Sequence, residues 1–407
     1  MSEVESIVRT DFPVFKRRDV VYLDNGATTQ KPLCVIEAVN EYYKKNNANP
    51  LRGLYELSID ATDAYENARK AVARFINAPE PENIVFVRNA TEALNLVAYS
   101  YGMNFIKEDE EIIITIAEHH SNMLPWREVA KHTGAKLTYF ECEPDGSFSL
   151  EKLQKLISKK KALVAMTMVS NVFGRLNDIK TFAKIAHDNG AVFVADGAQG
   201  VPHVPVDVTD LDVDFLAFSG HKMYAPMGIG ALYGKGEILE KMPPFMFGGE
   251  MIEYVTRDDA TYAEVPHKFE AGTVNAGGAV GLHEAIHFME RFGWDTITSK
   301  EDHLTKLAFD GMKKIPHVHI IGSDDPMEHH GIITFTIDGV HPHDVAAIFD
   351  ANNIAVRAGH HCAQPLMQFL GVNSTTRASF AFYNTEKDVE VFLDCLSHIR
   401  EEMGYEA

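Results

Sequence analysis

The chain has 407 residues, 45% of them hydrophobic and 24% charged, and a formal net charge of −20. That balance excludes a disordered chain, and it excludes nucleic-acid or anionic-membrane binding in the absence of a local basic patch. Four scattered cysteines (Cys34, Cys142, Cys362, Cys395), with no Cys-x-x-Cys pair, exclude a disulfide framework or zinc ribbon and suit a reducing cytoplasm.

The first fifteen residues are acidic and lack an apolar core, unlike a signal peptide. No apolar run approaches the ~20 residues that span a bilayer. Short apolar runs at 84–87, 111–116, 136–141, 162–170, 191–196, 215–219 and 229–233 read as strands, several apolar throughout, as in strands covered on both faces. Amphipathic stretches lie between them, such as 178–189, which Gly190 closes as a helix C-cap. The alternation predicts an α/β domain over 15–285, built on a large, mostly parallel seven-stranded sheet. Composition shifts at Gly277-Gly278, and a helix follows over 279–291. Strands at 332–337 and 376–383 and helices at 343–350 (behind Pro342) and 386–402 predict a smaller α+β domain over 286–407, with residues 1–14 packing on it. The cleft between the two is the expected ligand site.

Ligands of parallel sheets sit at the carboxyl ends of strands, and these ends are polar here. They read Glu118-His119-His120-Ser121-Asn122, Asn171, Asp196-Gly197-Ala198-Gln199 and Ser219-Gly220-His221-Lys222. Lys222 directly follows an apolar strand; desolvation there lowers an amine's pKa and makes it a nucleophile toward carbonyls, although alone it reads as a surface lysine. Asp196, an acid at a buried strand end, needs a positive partner, and a protonated pyridine nitrogen is one. Lysine and such an aspartate are the pair that pyridoxal phosphate requires. Arg88-Asn89-Ala90-Thr91-Glu92 opens a helical pattern at 92–99, whose free N–H groups and Thr91 hydroxyl suit a phosphate; an N-cap threonine is the plainer alternative. Ser219 and His221 face the same seat, and His119 is placed either to cover a cofactor ring or to serve structurally.

Cys362 lies in Arg357-Ala358-Gly359-His360-His361-Cys362-Ala363, where glycine allows a tight or mobile loop and the basic neighbours favour a thiolate. A metal site is disfavoured, since adjacent residues seldom point at one ion. The other three cysteines read as packing residues. Arg377, a charge in an otherwise buried strand, reads equally as a carboxylate grip and as a structural ion pair.

Together these residues resemble the class V aminotransferase-like enzymes of pyridoxal-phosphate fold type I, and more closely the SUF-type (group II) cysteine desulfurases. The similarity runs from Tyr22-Leu23-Asp24-Asn25-Gly26-Ala27 to the last helix. Its most specific parts are the Asp196 and Lys222 motifs, Phe269-Glu270-Ala271-Gly272-Thr273 and the Cys362 segment. The resemblance implies that Lys222 holds pyridoxal 5′-phosphate and moves the Cα proton. It places Asp196 at the pyridine nitrogen, Gln199 at the phenolic oxygen and His119 on the ring. Thr91, Ser219 and His221 would bind the phosphate, joined by Thr273 from the other protomer of a homodimer. Asn171 and Arg377 would bind the substrate carboxylate, and Arg357 would border the loop of Cys362. The implied reaction turns L-cysteine into L-alanine and a Cys362 persulfide for iron–sulfur cluster assembly, with a SufE-like or SufU-like acceptor. Alternatives are a selenocysteine lyase acting on L-selenocysteine, another lyase or aminotransferase of the class, and a non-catalytic scaffold. In one place the chain departs from the family: Leu51-Arg52-Gly53-Leu54-Tyr55 carries Leu51 and Tyr55 where the family commonly has histidines.

Overall fold

A computed structural model describes residues 8–157 and 161–405. Of the N-terminal stretch expected to pack on the smaller domain, residues 1–7 lie outside the described residues. From residue 8 on, the segment touches both parts of the molecule: Arg9 pairs with Asp388 at 2.7 Å, and Phe12 packs edge-on against Tyr224 and Phe288.

After the short strand β1 (Val21–Tyr22) come the strands of the main sheet: β2 (Ile84–Val87), β3 (Glu111–Thr115), β4 (Lys136–Phe140), β5 (Lys161–Thr167), β6 (Val192–Asp196), β7 (Phe215–Ser219) and β8 (Gly230–Gly234). Their order is β2-β8-β7-β6-β5-β3-β4, with β8 antiparallel to both neighbours and the other pairings parallel. This is the large, mostly parallel sheet that the apolar runs predict. Alternation along each strand feeds two cores: Ile84 and Phe86 enter one layer of packed side chains, Val85 and Val87 the other. Each side chain buried this way contributes roughly 1.5–3 kcal/mol. One core is roofed by α1 (Glu56–Phe75) and by the long helix Ala276–Phe292 that leads out of the sheet domain.

The second sheet is antiparallel. Beyond a hairpin of β9 (Ile252–Val255) and β10 (Ala260–Tyr262) come β11 (Val318–Ile321), β12 (Ile332–Ile337), β13 (Ile354–Ala355), β14 (Arg357–Gly359) and β15 (Thr375–Ser379). The sheet order is β11-β12-β15-β14, while β13 pairs in parallel with β1. The strand expected to reach residue 383 stops at Ser379. Beyond it, Ala381 N–H donates to Asn384 Oδ1 and Phe382 N–H to Glu301 Oε1, so side chains take the hydrogen bonds that a ladder would need. The final helix, Glu386–Glu402, starts at a reciprocal cap between Thr385 and Asp388. Among the described residues no helix is long and apolar enough to cross a membrane.

Candidate active site

The carboxyl ends of β3, β5, β6 and β7 open into a cavity of about 310 Å³, walled on its far side by residues of β14 and β15 and the loop between them. Asp196 ends β6 and is 3% exposed. Its Oδ1 accepts from Ala198 N–H at 2.9 Å; burial raises its pKa against that bond and the attraction of Lys222. Lys222 stands one turn beyond β7, where burial lowers its amine to about 8, opposed by Asp196. Gln199 donates through Nε2 to the Gly26 carbonyl at 2.6 Å, while its buried Oε1 has no partner among the described residues.

His119 also lines the cavity. Its Nδ1 accepts from Ser121 N–H at 3.1 Å, which places the ring proton of the neutral form on Nε2. Burial, with Lys222 nearby, lowers this imidazole to about 3, so it is uncharged at neutral pH. Behind it Glu118 is fully buried and accepts from Thr115 Oγ1 (2.5 Å), Asn122 Nδ2 (2.6 Å) and Thr167 N–H (2.9 Å). Burial raises Glu118 to about 8.

Linked to His119 through Ser121, a helix begins at Ala90 beside the cavity. Its N-cap is Asn89, whose Oδ1 accepts from Glu92 N–H; the alternative of a Thr91 cap is therefore corrected. Relieved of capping, the Thr91 hydroxyl meets Ser121 Oγ at 2.7 Å, and Ser219 Oγ accepts from Ala90 N–H at 2.8 Å. Gly230 permits this meeting of β8 and the helix start, because a Cβ there would lie 2.9 Å from Asn89 Cα. His221 is lowered to about 4, first by burial and then by Lys222. Its carbonyl accepts from Lys31 Nζ at 2.8 Å, and burial holds that lysine near pKa 7.

On the far wall Arg377 is 3% exposed. Its Nη1 donates to the Asn171 carbonyl at 2.9 Å, Nη2 lies 3.5 Å from Asp24 Oδ1, and the buried Nε has no partner among the described residues. Burial lowers this guanidinium to about 10, opposed by Asp24. Arg357 donates to Asp24 through Nε (3.0 Å) and Nη2 (2.8 Å). Asn171 Nδ2 donates to the His361 carbonyl at 2.8 Å. Cys362 is exposed on a left-handed turn, with φ of +52° at His361 and +55° at Cys362. Such conformations cost roughly 1–2 kcal/mol each for residues with a Cβ. Backbone bonds hold the turn: the Cys362 carbonyl accepts from His120 N–H (2.7 Å), and Cys362 N–H donates to His360 Nδ1 (3.1 Å).

The cavity thus gathers Lys222, Asp196, Gln199, His119, Asn171, Thr91, Ser219, His221, Arg357, Arg377 and Cys362. Thr273 is not among them; it borders a separate cavity with Phe86, Arg88 and Glu270. Burial raises the thiols of Cys34, Cys142 and Cys395 to about 11, in keeping with packing roles. Among the described residues no group of three His, Cys, Asp or Glu side chains is arranged to hold a metal. Three contributors had no role assigned from sequence: Asp24, Glu118 and Ser121. His361, expected among the basic neighbours that favour a Cys362 thiolate, is instead buried against Thr375 Oγ1 at 2.8 Å, and burial lowers its imidazole so that it carries no charge at neutral pH.

An aminotransferase class-V family model matches residues 21–392. A probable cysteine desulfurase of Halalkalibacterium halodurans is 49% identical over 97% of each chain. Among solved structures, a cysteine desulfurase from Thermococcus onnurineus NA1 superposes with a TM-score of 0.94 at 43% identity, covering 98% of both chains. The Escherichia coli cysteine desulfurase CsdA gives 0.91 at 38% identity over the same shares. The arrangement of strand ends around Asp196 and Lys222, and these likenesses along nearly the whole chain, place it in the aminotransferase class-V family.

Proposed function

We propose that the chain is a pyridoxal-phosphate-dependent cysteine desulfurase of the SUF type. The observation that carries this is the exposed Cys362, fastened by His120 over a cavity that also contains Lys222, Asp196 and the unpartnered Nε of Arg377. The site fits the cofactor on three counts: a buried acid with no ion pair among the described residues and only the longer-range attraction of Lys222, an orphaned Gln199 oxygen, and a helix start ringed by hydroxyls. When bound, pyridoxal 5′-phosphate supplies an electron sink that makes the substrate's Cα proton acidic.

The protein's own groups do the rest. With the cofactor bound, Asp196 would keep the pyridine nitrogen protonated, Gln199 would face the phenolic oxygen, and uncharged His119 would cover the ring. Thr91, Ser219 and His221 would seat the phosphate, with Thr273 of a second protomer. Arg377 and Asn171 orient the substrate carboxylate, and Lys222, whose amine is lowered to about 8, moves the proton at Cα. Cys362 attacks the substrate sulfur: the Cβ–S bond breaks, an S–S bond forms at Cys362 Sγ, and Cβ gains a proton to give L-alanine. Arg357 borders this loop. The persulfide then passes to a SufE-like or SufU-like acceptor for iron–sulfur cluster assembly in the cytoplasm.

A homodimer is supported by the exposed apolar side chains of Leu54 (97% exposed), Met227 and Phe247. Leu51 and Tyr55 lie in the same segment as Leu54, Leu51 at a φ of +78°. The names of the relatives favour sulfur over the selenocysteine lyase alternative. The test is to assay wild type and Cys362→Ala on L-cysteine and L-selenocysteine. Wild type should form L-alanine and a labelled persulfide, and the variant should lose cysteine turnover. A variant that keeps cysteine turnover and loses selenocysteine turnover overturns the mechanism.

A further inference from the structure

The chain leaves β7 at Ser219 and reaches Lys222 through one short turn, Gly220–Lys222, outside the sheet. Packing along β7 sets where that turn stands. The peptide group that joins His221 to Lys222 is then oriented by polar contacts from a remote part of the chain. The His221 carbonyl receives four donors, all from the segment after β1: Lys31 Nζ at 2.8 Å, Thr28 Oγ1 at 3.0 Å, Thr29 N–H at 3.1 Å and Thr29 Oγ1 at 3.2 Å. A carbonyl oxygen has only two lone pairs, so this one is oversubscribed. Thr29 Oγ1 also accepts from Tyr224 N–H at 2.9 Å, so one hydroxyl touches the backbone on both sides of Lys222. Tyr224 is a buried aromatic at a φ of +69°, a conformation that needs such a hold.

Of the four donors Lys31 is the shortest and the one that can carry a charge. Its other bond goes to the Thr29 carbonyl at 2.7 Å, and among the described residues no carboxylate pairs with it. Withdrawing an ammonium from water without an anion is unfavourable, so an ion pair does not explain its place behind Lys222. A charge-assisted bond to the His221 carbonyl does.

We propose that Lys31 is a positioning residue for the proton transfer at Cα: by gripping the His221 carbonyl it orients the next peptide and keeps the Lys222 amine aimed at the substrate. The inference rests on the reading of Lys222 as the group that moves that proton. Lys31 is not among the residues that line the cavity, so its loss should slow the transfer and leave substrate binding in place.

The experiment follows the loss of the Cα proton of L-alanine in deuterium oxide by proton NMR, with the cofactor-loaded full chain, over a range of L-alanine concentrations. The Lys222 amine takes the Cα proton, exchanges it with solvent and returns a deuteron. The maximal rate therefore reports proton transfer, and the half-saturating concentration reports binding. Lys31→Met should lower the maximal rate by about tenfold, the effect of one charge-assisted hydrogen bond, and keep half-saturation within about twofold of wild type. Lys31→Arg, which retains a charged donor, should restore most of the rate. In the full chain without cofactor, Lys31→Met should also speed amide hydrogen exchange over residues 220–225. A maximal rate unchanged in Lys31→Met, or a loss confined to half-saturation, overturns the proposal alone. A loss shared equally by Lys31→Arg marks a packing role and overturns it too. If Lys31→Met does not fold, Thr28→Val, which removes another donor to the same carbonyl, decides: a wild-type rate there overturns the proposal. A wild type that leaves the Cα proton in place overturns the underlying functional reading and this inference with it.

Discussion

The two walls of the cavity are built by different physics. The floor stands on strands buried on both faces; β7 and β8 are buried at every position, so Lys222 and Ser219 inherit their places from close-packed apolar side chains. The far wall stands on polar contacts between parts of the chain far apart in sequence: Asp24 with Arg357, Asn171 with Arg377, His120 with Cys362. The floor is therefore the rigid reference, and the far wall is the part whose placement depends on single hydrogen bonds and can be tuned residue by residue.

The sharpest way to break this contrast is at the floor. Lys222→Ala should abolish an absorbance band near ~420 nm and lower turnover by about 10²–10⁴-fold, the loss expected of a missing proton-transfer group. A variant that keeps the band overturns the assignment of the lysine. At the far wall, Arg377→Met should leave the band in place and raise KM by roughly 10–100-fold, since it removes the charge-assisted bonds proposed to the substrate carboxylate; a lost band would mean that the two walls are not independent.

A pH series separates them more finely. His119 and His221 are held near 3 and 4, below the ordinary 6.5, so the unfolded chain binds their protons first as pH falls. Their contribution to stability is present above pH 6.5 and is lost as pH falls toward 4. Urea unfolding of the cofactor-free protein across this range should show that loss, reduced in His221→Asn. Glu118, raised to about 8, acts with the opposite sign: its contribution is full below its ordinary value and declines as pH rises through 8. The smallest effect lies outside both walls. Thr385→Ala removes the cap of the last helix and should cost about 1 kcal/mol, read as a lower urea midpoint.

The floor was legible in the sequence because its information is local. An apolar run shows a strand covered on both faces, and the polar residues that follow it mark the strand's end, so Asp196 stands out, and Lys222, which alone reads as a surface lysine, gains its meaning from Asp196. The far wall was legible only in part. Arg377 and Cys362 stood out as a charge and a thiol in unusual settings, but Asp24 is 333 residues from Arg357 and no local pattern reports that pairing. The end of β15 is missed for the same reason: Glu301, remote in sequence, captures the Phe382 N–H. The helix cap is a different case. Asn89 and Thr91 both carry cap chemistry two positions apart, and only the backbone path decides between them.

The turn at His361 and Cys362 has one more consequence. Its bonds to His120 and His360 are made by the Cys362 backbone carbonyl and N–H, and neither uses the sulfur. The sulfur and the loop placement are thereby separable: serine or alanine at 362 leaves both anchors intact, whereas a β-branched residue would strain the positive φ. The chain can change what stands at that address without changing the address.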